Sequence, residues 1–190
     1  MRNEAAMAPL LCITLSSRTV VFTLLNVRGL YSHLKDMECD IEVLTSDILL
    51  LTETQYKIGE ANQATCLGKF VFHHHICENK FDSLSIAVKP GITVSNINCI
   101  LGSLCFQITK LSLNVTMIVL LLYGKHLMKI QDFLYLISHW LSNTDGKIYI
   151  ILGDFNINFF DENEELKRLL EDYIMIVMCY HNKYLMLCFC

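Results

Sequence analysis

Apolar positions recur with two different periods along the first fifty residues. "RTVVFTLLN" at 18–26 is dense in β-branched and apolar residues and predicts a strand that ends at Asn26. In "LYSHLKDMECDIEVL", Leu30, Leu34, Met37, Ile41 and Leu44 follow at steps of four, three, four and three, the apolar stripe of one amphipathic helix. "SDILLLTET" at 46–54 is a continuous apolar run that closes on polar residues, which predicts a strand covered on both faces. Strand, helix, strand is the unit of a layered α/β protein.

From 69 to 122 the pattern shortens to "KFVFHHHI", "SLSIAVKPGITV", "LCFQITKLSL" and "VTMIVLLLY", joined by Gly, Asn, Pro and Ser, and predicts an antiparallel meander. Helical spacing returns in "KIQDFLYLISHWL" at 129–141, with Ile130, Phe133, Leu134, Ile137 and Leu141 on one side. A strand over "KIYIIL" follows. "DENEELKRLLEDY" at 161–173 then predicts a helix with acids in its first turn, where the helix dipole favours them. The chain organises as a poorly defined N-terminal segment (1–17), one domain (18–173) and an atypical apolar tail (174–190) in which no further turn or polar site is expected.

Composition narrows the class. The chain has 190 residues, 53% of them hydrophobic and 18% charged, which suits one domain with a substantial core. A net charge of -4 gives no electrostatic argument for nucleic acid, so any phosphate-binding surface would have to be local or metal-assisted. The nine cysteines show no CxxC pair and lie mostly in apolar runs, as reduced, buried thiols of an intracellular protein do. The longest apolar run, "MIVLLLY" at 117–123, falls well short of the roughly 18 residues that span a bilayer. No membrane partner is expected.

Three predicted strands end in polar residues that packing does not require: Asn26, Glu53, and the pair Asp154 and Asn156 in "KIYIILGDFNINFF". Side chains alternate along an extended chain, so 154 and 156 point the same way. Taken singly, each has an ordinary explanation as a turn, a cap or a solvated edge. Taken together, carboxylate and amide oxygens with room for water are the ligands of a hard divalent cation such as magnesium, which stabilises phosphoryl groups and activates water. The triple "HHH" at 73–75 reads instead as a partly buried strand, because alternation lets at most two of the rings share a side.

"LLNVRGLYSHLKDMECDIEVLTSDILLLTET" followed by "IILGDFNIN" resembles the endonuclease/exonuclease/phosphatase superfamily, the DNase I-like proteins, and within it the transposable-element branch of LINE and Helitron-associated endonuclease-like domains. The order N-x-R, T-E-T, G-D-F-N is matched over roughly residues 18–160. The resemblance implies a DNase I-like four-layer α/β sandwich and magnesium- or manganese-dependent hydrolysis of a phosphodiester, with DNA as the candidate partner. It implies Asn26 and Glu53 as metal residues. Asp154 and Asn156 would orient or activate the attacking water, Tyr123 would lie near the phosphate, and Arg28 and Lys125 would bind substrate.

The chain departs from the pattern at two places. Tyr123 is followed by "GKHLMK" where the family has an R-P-like segment, so Lys125 or His126 would supply positive charge. The family's final S-D-H strand is not found before Cys190, and His181 in "CYHNKY" does not match it. The expectation is therefore a fold incomplete at the C-terminus, with an exposed sheet edge open to self-association and weak or no activity. A non-catalytic binding module and a phosphodiesterase of small phosphorylated substrates are the alternatives. A nuclear location would follow only from action on DNA.

Overall fold

The computed structural model describes residues 10–15, 18–56, 67–76, 83–100, 103–110, 115–123, 129–142, 149–154, 164, 168, 175–180 and 183–188. The chain forms two compact units, Met1–Pro90 and Gly91–Cys190.

In the first unit, β1 (Leu10–Leu15) pairs antiparallel with β2 (Arg18–Asn26), from Leu10↔Thr23 to Leu15↔Arg18. The short run "LLCITL" carries no period of its own, and β2 supplies the ladder that makes it a strand. Helix α1 (Leu30–Cys39) and helix α2 (Ile41–Thr45) then lead to β3 (Ile48–Thr52), which runs parallel to β2 with Asn26 opposite Thr52. β4 (Val71–His75) and β5 (Leu84–Val88) complete a sheet of order β1-β2-β3-β5-β4. All five residues of β3 are buried, as its unbroken apolar run predicts. Val27, Leu30, Met37, Leu49, Leu51, Tyr56 and Ala87 share one core cluster, which ties the helices to one face of this sheet.

The single helix expected over 30–44 is two. Asp40 is extended (φ -87°, ψ 115°), and its carboxylate accepts from the backbone N–H groups of Glu42 (2.8 Å) and Val43 (3.2 Å). That cap starts a new helix out of phase with the first. The expected stripe therefore fails at its end: Ile41 is 71% and Leu44 37% exposed, while Val43 is buried. Cys39, expected among the buried thiols, is exposed and free at the end of α1.

In the second unit, β6 (Ile92–Ile100), β7 (Ser103–Lys110) and β8 (Val115–Tyr123) form an antiparallel meander. Helix α3 (Ile130–Ser142) crosses over to β9 (Tyr149–Asp154), which lies parallel to β8. Phe133, Leu134, Leu136, Ile137 and Trp140 of α3 are buried, and the Trp140 indole N–H donates to Ser103 Oγ at 3.3 Å. β10 (Met175–Tyr180) and β11 (Lys183–Cys188) follow, and the sheet order is β10-β11-β9-β8-β7-β6.

Two expectations change here. The run "SLSIAVKPGITV" is not one strand of a single meander; β5 and β6 belong to different sheets and part at Pro90 and Gly91. Proline removes a ladder donor, and Gly91 turns at φ +90°, a region where only glycine is unstrained. The second change concerns residues 174–190, expected as a tail without a turn. Here β10 and β11 form a hairpin, and β11 pairs antiparallel with β9 from Tyr184↔Gly153 to Cys188↔Tyr149. β9 thus lies between β11 and β8, and the outer strands of this sheet are β10 and β6. Of the helix expected at 161–173, Glu164 and Arg168 are helical and exposed, and the remainder lies outside the described residues.

Candidate functional site

β2 and β3 are adjacent and parallel, so their C-terminal ends open on the same side. Asn26 is the last residue of β2 and Glu53 the first beyond β3. The Asn26 amide donates from Nδ2 to Glu53 Oε1 at 2.8 Å, and both residues are half-buried. An ionised carboxylate only accepts, so this bond sets the amide orientation: nitrogen towards Glu53, with the buried oxygen Oδ1 as the atom able to turn to a cation.

The backbone that carries these groups departs from ordinary strand geometry. Arg28 (φ +43°), Gly29 (φ +109°), Glu53 (φ +53°) and Gln55 (φ +56°) all lie in the left-handed region. Each non-glycine there costs on the order of 1 kcal/mol, and such residues persist only where their surroundings hold them. Backbone bonds do the holding: Val27 N–H donates to Thr52 O (3.0 Å), Gly29 N–H to Glu53 O (2.8 Å), Leu30 N–H to Thr54 O (3.0 Å) and Thr54 N–H to Ser83 O (3.0 Å). Gly29 is needed for a second reason, because a Cβ there would lie 3.1 Å from Ser32 Oγ. Arg28 is exposed at this turn.

A parallel strand pair in the second unit ends in the same manner. Tyr123 closes β8, Asp154 closes β9, and the two are register partners. Tyr123 is half-buried. Asn156 and Lys125 lie outside the described residues.

Metal chemistry can be judged from the donors. Among the described residues no three His, Cys, Asp or Glu side chains are grouped to hold an ion. One carboxylate and one amide oxygen fit magnesium, which binds through one or two carboxylates and keeps several waters.

Sequence reasoning passed over the residues behind Glu53. Tyr56 is fully buried, its ring edge-on to Tyr31 (centroids 5.3 Å) and tilted over His74 (4.1 Å). His74 Nδ1 lies 2.8 Å from Ser85 Oγ. Burial, with a smaller contribution from the neighbouring His73, lowers the His74 pKa from 6.5 to about 4, and burial lowers His73 and His75 as well. The histidines of "HHH" and the serines of "SLS" stand in the sequence, but only the pairing of β4 with β5, which sets His74 opposite Ser85, brings two of them together.

The fold these strands build is of the DNase I-like kind, an α/β protein of two mixed sheets with few helices. Its solved neighbours belong to that superfamily. They include the human Nocturnin catalytic domain (TM-score 0.66, 12% identity, 94% of this chain and 85% of that one). The endonuclease domain of TRAS1, a telomere-specific non-LTR retrotransposon, aligns with TM-score 0.63 at 10% identity over 88% and 84% of the two chains. An AP endonuclease from Archaeoglobus fulgidus aligns with TM-score 0.62 at 12% identity over 88% and 86%. No protein-family model and no curated protein sequence matches the chain. At these identities the likeness defines the fold.

Proposed function

We propose that the chain is a magnesium-dependent phosphodiester hydrolase acting on DNA, of the endonuclease type carried by mobile elements. The observation that carries the reading is the Asn26–Glu53 contact at the ends of two parallel strands, where a carboxylate is held by an amide on a strained backbone. Strained backbone clusters at functional sites, and here it sits where two strands present polar groups side by side, which supports this reading. The names of two neighbours, a retrotransposon endonuclease domain and an AP endonuclease, support DNA as the substrate class.

In this reading Glu53 and Asn26 hold the cation. Once bound, magnesium (or manganese) would stabilise negative charge on the phosphoryl oxygens. The chain's own groups do the rest. Asn26 keeps the Glu53 carboxylate turned to one rotamer through its 2.8 Å bond. Asp154 accepts the proton of the attacking water, Asn156 orients that water, Tyr123 contacts the phosphate, and Arg28 and Lys125 bind the polyanion.

Nicking of supercoiled plasmid by purified protein with magnesium tests the proposal against Glu53→Ala and Asp154→Ala. Nicking by the wild type that falls by about two to four orders of magnitude in both variants is the expected result. Equal nicking by all three proteins would show a contaminating nuclease and remove the assignment.

A further inference from the structure

We propose that His74 is a positioning residue for the Glu53 carboxylate and acts through the ring of Tyr56. The inference rests on the reading of Glu53 as a metal ligand and adds to it a residue outside the strand-end motifs.

Glu53 and Gln55 both hold left-handed backbone, so this loop cannot keep its shape through its own preferences. It must be clamped from outside, and β5 supplies the clamp. The residue before β5, Ser83, accepts the Thr54 N–H at its carbonyl (3.0 Å), and its Oγ donates to Tyr56 O (3.3 Å). Two residues on, Ser85 Oγ is 2.8 Å from His74 Nδ1, and Ser85 and His74 are also register partners. The imidazole is thereby fixed in rotation. Phe72 stacks against it on one side (centroids 5.6 Å), and the Tyr56 ring lies over it at 4.1 Å. Tyr31 meets the other part of the Tyr56 ring edge-on.

Tyr56 is thus gripped at its main chain by Ser83 and at its ring by His74 and Tyr31, three residues beyond Glu53. Hydrophobic packing alone would be met by a Phe or Leu at position 74. A histidine adds the bond to Ser85 and so fixes the plane on which Tyr56 rests. Groups that hydrogen-bond a metal ligand from outside typically change affinity by about ten- to a hundredfold, and His74 acts one contact further away, through Tyr56, so the lower end applies.

The test measures Mn2+ affinity of the full chain by the electron paramagnetic resonance signal of free Mn2+, with circular-dichroism melts on the same samples. Wild type, Glu53→Ala, His74→Ala, His74→Phe and Ser85→Ala are compared at neutral pH. The expected pattern is loss of binding in Glu53→Ala, about tenfold weaker binding in His74→Ala, and recovery to within about threefold in His74→Phe, which returns a ring beneath Tyr56. Unchanged Mn2+ affinity in folded His74→Ala, beside loss in Glu53→Ala, overturns the role of His74 and leaves the metal reading intact. Unchanged affinity in Glu53→Ala overturns the metal reading itself. Should His74→Ala fail to fold, Ser85→Ala decides: weakening of about threefold supports the clamp, and wild-type affinity overturns it.

Discussion

Asn26 and Glu53 are 27 residues apart in sequence and 2.8 Å apart in space, joined by one hydrogen bond across the ends of two parallel strands. Each determines what the other can do. Without the amide, the carboxylate loses its fixed direction; without the carboxylate, nothing holds the amide nitrogen towards position 53 and the buried Oδ1 away from it.

Asn26→Ala is therefore expected to weaken Mn2+ binding by about ten- to a hundredfold while leaving the fold intact. Asn26→Asp brings a second carboxylate against Glu53, so the metal-free protein should melt lower, and saturating Mg2+ should recover the loss by mass action. Melting curves with and without Mg2+ check both. A melting temperature of Asn26→Asp that does not respond to the cation would speak against a metal site here.

Backbone strain gives a prediction that separates stability from binding. Gly29→Ala must place a Cβ at φ +109° and 3.1 Å from Ser32 Oγ, and is expected to cost about 1–3 kcal/mol. Glu53→Gly relieves the left-handed φ of +53° and should leave stability unchanged or raise it by about 0.5 kcal/mol, while abolishing Mn2+ binding. Urea unfolding of the two variants measures the difference. Loss of stability in Glu53→Gly as large as in Gly29→Ala would contradict strain at this site.

Acid should destabilise the first unit through its histidines. The His74 pKa lies at about 4 in the fold against 6.5 for an ordinary imidazole, so the neutral ring is the folded form. The unfolded chain takes up the proton first as pH falls. Stability from this group is complete above about pH 6.5 and declines as pH drops towards 4. His73 and His75 act in the same direction. Solvent screening of the half-exposed ring reduces the effect of His74 to about 1 kcal/mol. Urea midpoints at pH 7.5 and 5.0 should move further apart in the wild type than in His74→Phe, and equal shifts would remove His74 as the cause.

Removal of residues 174–190 strips β11 from β9 and bares a row of backbone donors and acceptors along a central apolar strand. The shortened chain is expected to form dimers or aggregates at concentrations where the full chain is monodisperse. Size-exclusion chromatography with light scattering reads this out; a monodisperse shortened chain would show that the hairpin is dispensable.

The sequence by itself determined the elements whose period is unambiguous. β2, β3, α3 and β9 were legible because β-branched density, unbroken apolar runs and helical spacing report burial directly. Asn26, Glu53 and Asp154 stood out because polar residues closing an apolar strand have no packing purpose. What remained depended on partners remote in sequence. The break at Asp40 came from a side chain capping a second helix, which no apolar period records. The division of "SLSIAVKPGITV" between two sheets followed from which neighbours β5 and β6 found, and the strand character of 175–188 from the ladder that β9 offers. The support of Glu53 by Ser83, Tyr56, His74 and Ser85 is likewise tertiary. The Ser83 bonds need β5 beside β3, and the His74 contacts need the edge strand β4 registered against β5, because strand pairing, a long-range choice, decides which side chains meet.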